Sequence, residues 1–465
     1  MGDTRDSPPP SAGSHRRQAK CLAPSWVCVG QVGGVTSSAL PQVEGRSGQG
    51  GRVSPEATVA VASGISRTRV LSICRILWNG GVQRVAIGQT IGLRGLGWGC
   101  DLVFLRRTRD AAYELPPGTQ VLHATEITGP RPFQAFYESL TSQYAGHRGP
   151  EATVDLDVML DSLDLSGKYD VTIYNDQYTA VMGILNRMRH GWPYVMMFHE
   201  FYPKVHPTLA RRLFLYPLAD LFDVFSLLVA PAVVTTGKKN YDRLLNIVPD
   251  KVYLARLGAP EPQRVEISGR DRFSVCSVSI WDSGRHPETY LEVARLAPEF
   301  QFVIAGLWPD DQFRQELVER ARGLPNVRIT GEVSEAERER LLARSLIYLR
   351  LGYNEGGPGM GGLEAMARGS LVIANRGLGI SEIIHDGTDG FVCDEASAES
   401  VGRVLKRIGD LPVSRLAAIS DAALALAGQH SWQAHVQVLG QALDTALGRA
   451  GAAPRRPSTS QTVTN

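Results

Sequence analysis

Between residues 70 and 394 the chain repeats one pattern: a short β-branched run, an amphipathic stretch at helical spacing, then another run. Strands joined through crossover helices pair in parallel and are covered on both faces, so the alternation points to α/β layers. The runs VLSICRILW (70–78), CDLVFLRR (100–107), DVTIYN (170–175), YVMMFHE (194–200) and VVTT (233–236) make a first series, with helices over 82–93 and 207–223. A second series starts near Arg272 with FSVCSVSI, FQFVIAG, VRITGEV, SLIYLRLGY, LVIANR and GFVCD, and helices over 287–297, 310–323, 335–343 and 362–368. Between the series, RLGAPEPQRVEISGRD (256–271) is rich in Gly, Pro and charge and reads as a linker. The pattern predicts two doubly wound domains, 68–255 and 272–430, facing one central cleft. SPPPSAGS and GRSGQGGRVS mark 1–67 as a disordered extension, and GAAPRRPSTSQTVTN marks 449–465 as a disordered tail.

Bulk chemistry narrows the function classes. Hydrophobic residues make up 43% and charged residues 21%, a globular composition, and the net charge of +2 gives no reason to expect a nucleic-acid partner. The cysteines are scattered without a CxxC pair, which argues for buried free thiols in a reducing compartment and against a structural zinc site. No apolar run reaches the roughly 18–20 residues of a membrane-spanning helix, and CLAPSWVCVG is a poor signal-peptide core. The expected location is cytoplasmic.

In doubly wound sheets ligands bind beyond the carboxyl ends of the strands, so the strand-to-helix junctions hold the candidate residues. NEGGPGMGGLEAMARG (354–369) follows SLIYLRLGY directly. Its glycines allow close backbone approach, and the helix start that follows offers free N–H groups to an anion. Glu355 and Glu364 bracket the turn, and carboxylates there suit sugar and ribose hydroxyls rather than phosphate. A plain glycine-rich turn with Glu364 as a first-turn charge is the bland alternative. Asn79-Gly80-Gly81-Val82-Gln83-Arg84 repeats the strand, glycine, helix order but is not GxGxxG, and the next strand ends in arginines, which disfavours a nicotinamide site. His199 ends the strand YVMMFHE at the cleft mouth, and Arg285 follows the first strand of the second series, where it could neutralise a diphosphate. Structural roles for both stay open.

Taken in order, these junctions resemble a glycosyltransferase of family 4, the retaining group with the GT-B fold of two Rossmann-like domains. The resemblance runs from about Val70 to Leu443 and rests on GGVQR, FHEFYP, Arg285, Glu355 with LEAMARG, and GLGISEIIHDGTDGFVCD as a glycine-rich turn, helix and strand. HSWQAHVQVLGQAL is similar to the family's C-terminal helix, which returns to the N-terminal domain (431–448).

What this resemblance implies is metal-independent transfer, without a cofactor, from a nucleotide-sugar donor to a glycan or lipid-linked acceptor. Glu364 would hold the ribose, Glu355 the donor sugar, Met360 and Gly361 the diphosphate through the backbone, and Arg285 would offset its charge. His199 would contact the sugar, Gly80 and Gly81 would approach the diphosphate from the other domain, and Arg84 would lie nearer the acceptor. Two departures stand out. One more residue separates Glu355 from Glu364 than the family pattern has, and the family's strand-end arginine is replaced by Ile280. Either Arg350 on the neighbouring strand or Arg84 across the cleft substitutes for it, or the enzyme is slow, or the ligand differs. An inactive GT-B binding module and a nucleotide-sugar 2-epimerase are the competing readings. FYPKVHPTLARRLFLYPLA (201–219) combines arginines with leucines, which suits peripheral contact with an anionic membrane face or, equally, a core-facing helix with solvated arginines.

Overall fold

The protein is seen here as a computed structural model that describes residues 68–77, 80–107, 114–121, 167–175, 177–199, 226–352 and 357–449. The first series yields strands β1 (Arg69–Leu77), β2 (Gly99–Arg107), β3 (Gln120–Val121), β4 (Val171–Tyr174), β5 (Tyr194–Phe198), β6 (Ala232–Thr235) and β7 (Val252–Leu254). They form one parallel sheet in the order β3-β2-β1-β4-β5-β6-β7. The second series yields β8 (Asp271–Ile280), β9 (Gln301–Leu307), β10 (Val327–Ile329), β11 (Ser345–Arg350), β12 (Leu371–Asn375) and β13 (Phe391–Cys393). These are parallel too, in the order β10-β9-β8-β11-β12-β13. In both sheets the order reverses beside the first strand, between β1 and β4 and between β8 and β11, which opens a crevice at the carboxyl ends.

Burial accounts for the unbroken apolar runs. Every residue of β4, β5, β6, β11 and β12 is buried, because helices cover both faces. The helices are α1 (Gly81–Gly95), α2 (Gln177–His190), α3 (Lys238–Leu245), α4 (Pro287–Leu296), α5 (Asp311–Ala321), α6 (Glu335–Arg344), α7 (Met360–Met366), α8 (Ala398–Asp410), α9 (Val413–Gln429) and α10 (Trp432–Ala446). Cys74, Cys100, Cys276 and Cys393 are buried free thiols within this core. Among the described residues no single helix is long and apolar enough to cross a membrane.

The structure differs from the sequence reading in places. The helix expected after GLGIS is a single 3-10 turn, Gly379–Glu382. Asp389 binds the His385 backbone N–H at 2.7 Å and Asp386 binds that of Val392 at 3.0 Å, which holds the following residues in a turn. Strands predicted to run through 353 and 333 stop at Arg350 and Ile329. The short β7 and the helices α2 and α3 were not anticipated, and the stretch 201–219, with the whole of the predicted helix 207–223, lies outside the described residues.

Helix α10 begins beyond the second sheet and packs against α1, β5, β6 and β7 of the first. It fits because α1 is notched. A Cβ added at Gly88 would meet the Trp432 ring at 2.5 Å, and one at Gly92 would meet Val436 at 2.6 Å. Below the notch a buried polar chain fixes the register. His435 Nδ1 lies 2.9 Å from the Arg256 carbonyl, so it carries the proton, and Nε2 then accepts from Gln89 Nε2 at 3.0 Å. Burial holds the His435 pKa down, to about 4, against the opposing pull of its backbone hydrogen bonds. His199 is likewise pushed down to about 4, by burial first and by the nearby His435 second.

Two expectations follow from this packing. Gly88→Val should cost about 1–3 kcal/mol of stability by overpacking against Trp432. Gly95→Ala, whose Cβ meets nothing within 4 Å, should be neutral or stabilising by up to about 1 kcal/mol; equal urea midpoints for the two would refute the notch. The depressed histidines bind fewer protons folded than unfolded, so their stabilisation is complete above about pH 6.5 and is lost as pH falls toward 4, about 3 kcal/mol for the buried His435 and less for His199, which borders the cavity. Urea unfolding followed from pH 7 to 4 should show this slope, and His435→Gln should flatten it; an unchanged slope would count against the assignment.

Candidate functional site

The carboxyl ends of both sheets border a cavity of about 350 Å³. Its first wall comes from the β1–α1 junction. Gly80 caps α1 from an extended conformation and offers no side chain to the first N–H groups, and Gly80, Gly81 and Arg84 all line the space. His199 enters from the end of β5. Its carbonyl accepts from Asn240 Nδ2 at 2.8 Å, which ties the strand end to α3. Its Nε2 is buried and meets no hydrogen-bond partner among the described residues. With its pKa near 4 the ring is neutral at neutral pH.

The opposite wall is built at the β8/β11 reversal. Trp281, directly after β8, is wedged against Trp308 and Tyr290, and its Nε1 donates to the Ala305 carbonyl at 2.7 Å. That anchor holds the turn Ser283–Arg285, which closes with Arg285 N on the Asp282 carbonyl at 3.0 Å and presents Arg285 to the cavity. Beside it, Arg350 ends β11, is 8% exposed, lines the cavity and donates to Ser279 Oγ at 2.8 Å.

The glycine-rich turn enters α7 through Gly359, whose φ of 68° lies in the left-handed region that favours glycine. Gly361 is required for a different reason. A Cβ there would collide with the Tyr348 hydroxyl, which itself donates to the Val278 carbonyl at 3.0 Å. Removing the side chain lets the first turn of α7 lie directly on β11, with Met360 and Gly361 facing the cavity. Glu355 lies outside the described residues.

Glu364 is 3% exposed, and both its oxygens are engaged. Arg84 Nη1 reaches Oε1 at 2.6 Å from across the cleft, and Arg338 Nη1 on α6 holds Oε2. Arg338 also pairs with Glu335 and, at 3.1 Å, with Glu339. Burial alone would lower the Arg338 pKa, but the charges of Glu364 and Glu335 outweigh it and raise the pKa, so the guanidinium stays charged. Stripping partners from such a buried charge costs about 3–5 kcal/mol. The carboxylate expected to be open to a ribose is therefore already in an ion pair, and Arg84, expected toward the acceptor, lies against it.

All eight described candidates, Gly80, Gly81, Arg84, His199, Arg285, Met360, Gly361 and Glu364, line the one cavity. Arg338 and Glu335 were missed. The run EAERER carries no local sign of a partner, and Arg338 is buried where it meets Glu364, 26 residues further along the chain. The capping box of Ser334 with Glu337 was a legible start signal for α6, but it says nothing about which face is covered.

Residues 268–424 match the family model described as glycosyl transferases group 1. No curated protein matches the sequence. Solved structures do resemble it. Anabaena HepE in complex with UDP and glucose is 16% identical at a TM-score of 0.60, covering 81% of this chain and 100% of that one. Sucrose-phosphate synthase from Thermosynechococcus elongatus is 16% identical at 0.62, covering 81% and 98%. A TarM variant from S. aureus in complex with fondaparinux, α-GlcNAc-glycerol and UDP is 10% identical at 0.60, covering 81% and 100%. At such identities the likeness is one of fold. The chain thus has the GT-B fold seen in these glycosyltransferases, and its residues 268–424 are similar to the glycosyl transferases group 1 family.

Proposed function

We propose that this protein is a retaining, metal-independent glycosyltransferase of the family 4 type, moving a sugar from a nucleoside-diphosphate donor to a glycan or lipid-linked acceptor. The observation that carries the reading is the convergence on one cavity of a neutral histidine, an arginine-bearing strand-end turn, a glycine-rich turn and a buried glutamate. The UDP and sugar in the neighbouring complexes support it from outside.

In this reading the diphosphate sits between Gly80–Gly81 on one side and Arg285 with the Met360–Gly361 backbone on the other. Their fixed donors and charges stabilise the leaving group as the C1–O bond to phosphate breaks. The acceptor hydroxyl forms the new C1–O bond from the same face, and its proton passes to the departing phosphate oxygen. His199 Nε2, a lone-pair acceptor in the neutral ring, takes a sugar hydroxyl and places the negative end of its dipole toward the oxocarbenium-like centre. Glu355, by motif position, contacts the donor sugar. Glu364 holds the ribose once one arginine contact is shared or released. The activity belongs in the cytoplasm, at the inner membrane face where the acceptor is lipid-linked; the basic, apolar stretch 201–219 supports that from sequence alone.

Ile280 and the doubly paired Glu364 favour a second reading, an inactive GT-B module that binds nucleotide without turnover. The deciding assay measures nucleotide release from a panel of UDP-, GDP- and ADP-sugars by the purified protein. One donor should be turned over, with no loss in EDTA, and Glu364→Ala should lower kcat/KM by about a hundredfold. Nucleotide binding without turnover would establish the inactive module instead, and a strict need for a divalent metal would overturn the metal-independent mechanism.

A further inference from the structure

We infer that Asn175 is a positioning residue for His199. Its side chain locks the end of β4 to β1, and its backbone carbonyl takes the imidazole proton, which leaves Nε2 as the lone-pair nitrogen of a ring that lines the cavity. The use of that nitrogen on a sugar rests on the transferase reading above; the placement of the ring does not.

The ring proton is located by its partners. Burial first and His435 second hold the His199 pKa down, to about 4, while a hydrogen bond with the Asn175 backbone pulls the other way. A hydrogen bond that favours the protonated ring is one in which the ring donates, so the Asn175 carbonyl is the acceptor. The Asn175 N–H is committed elsewhere, to the Ile73 carbonyl on β1 at 2.9 Å. Nε2 meets no hydrogen-bond partner among the described residues, so the donor is Nδ1. In a neutral imidazole the other nitrogen is then an acceptor, and this one contact decides which nitrogen that is.

Asn175 is built to hold the contact still. Tyr174 is level with Met196 in the β4/β5 pairing, so Asn175 stands beside Met197, and His199 lies two residues beyond. Asn175 is fully buried, and its Nδ2 donates to Ser72 Oγ at 2.8 Å and to the Ile73 carbonyl at 3.0 Å. With the backbone N–H, three hydrogen bonds tie this residue to β1, where the strand order reverses. The amide is kept although Oδ1 is buried and meets no partner among the described residues, and an apolar side chain would fill the space without that penalty. Met197 shares a face with His199, and its sulfur accepts from Gln89 Nε2 at 3.4 Å. The His199 carbonyl accepts from Asn240 Nδ2 at 2.8 Å. The histidine is thus held at both ends, its backbone through α3 and its ring through β4.

The tautomer decides what the ring does. With the proton on Nδ1, Nε2 accepts a sugar hydroxyl and sets negative partial charge toward an oxocarbenium-like centre. With the proton on Nε2, the ring would offer that centre a positive N–H and repel it.

Nitrogen-15 NMR of histidine-labelled protein at neutral pH reads the tautomer, with the His199 signals identified by their loss in His199→Gln. In the wild type Nδ1 should carry the proton and Nε2 should be bare. Asn175→Ala should give a mixture of tautomers, and Ser72→Ala, which removes a single tie, a smaller admixture. The serine variant carries the comparison where Asn175→Ala does not fold. For the donor that the wild type turns over, Asn175→Ala should lower kcat about tenfold to a hundredfold while KM changes by about threefold or less. A merely structural asparagine would lower the yield of folded protein and leave the tautomer of that protein unchanged. A wild-type proton on Nε2, an unchanged tautomer in the variants, or a kcat that does not fall with it would overturn the role of Asn175 and leave the transferase reading standing. No turnover of any donor, with the tautomers as stated, would bring down the transferase reading and leave the placement of His199 by Asn175.

Discussion

Helix α10 is the element on which the arrangement of the two sheets depends. It starts beyond the second sheet and spends its apolar face on the first, with Trp432 lodged where Gly88 leaves room. One apolar cluster consequently runs from Val195 and Val234 in the first sheet through Val436 and Leu439 to Leu363 and Met366 in the second half. The cavity between the sheets keeps its dimensions because this seam is packed rather than hinged on a loose linker. The buried hydrogen bonds of His435 add register to what the glycines supply in space, since only one placement satisfies both ring nitrogens.

Within that frame the chemistry is mostly one of charge held out of water. Arg338 and Arg84 neutralise Glu364, while Arg285 and Arg350 stand on the wall near the glycine-rich turn. Toward α6 the charges are compensated within ion pairs, and toward the β8/β11 reversal Arg285 and Arg350 line the cavity, an arrangement that suits a ligand with a hydroxyl-rich part and an anionic part.

Much of this was legible in the sequence, and what was not has a common cause. The β-branched runs announced the buried parallel strands, because strands covered on both faces need no alternation. Gly80, Arg285 and Gly361 were readable because strand, turn and helix are local in the chain, and a glycine between a strand and a helix marks a backbone that needs room. The three-residue β7 is too short for any period to register. Arg338 carries no local sign of its role, because Glu364, its partner, lies 26 residues further along the chain. Gln89 meets His435 across 346 residues, so neither side chain carries a local sign of the other. Gly88 and Gly92 in α1 look locally like weak helix formers, when their meaning lies entirely in a helix at the far end of the chain.

The ion pair from Arg84 to Glu364 is an internal rival for any ligand hydroxyl that would bind this carboxylate. Any ligand hydroxyl that takes the Oε1 lone pairs must displace a guanidinium already seated there, so the observed affinity is the intrinsic one reduced by the fraction of molecules with that seat free. Arg84 is 24% exposed and feels the surrounding salt more than buried Arg338 does. Ionic strength therefore acts on this cleft twice, with opposite signs: it screens the attraction of an anionic ligand and loosens the internal rival that the ligand must replace.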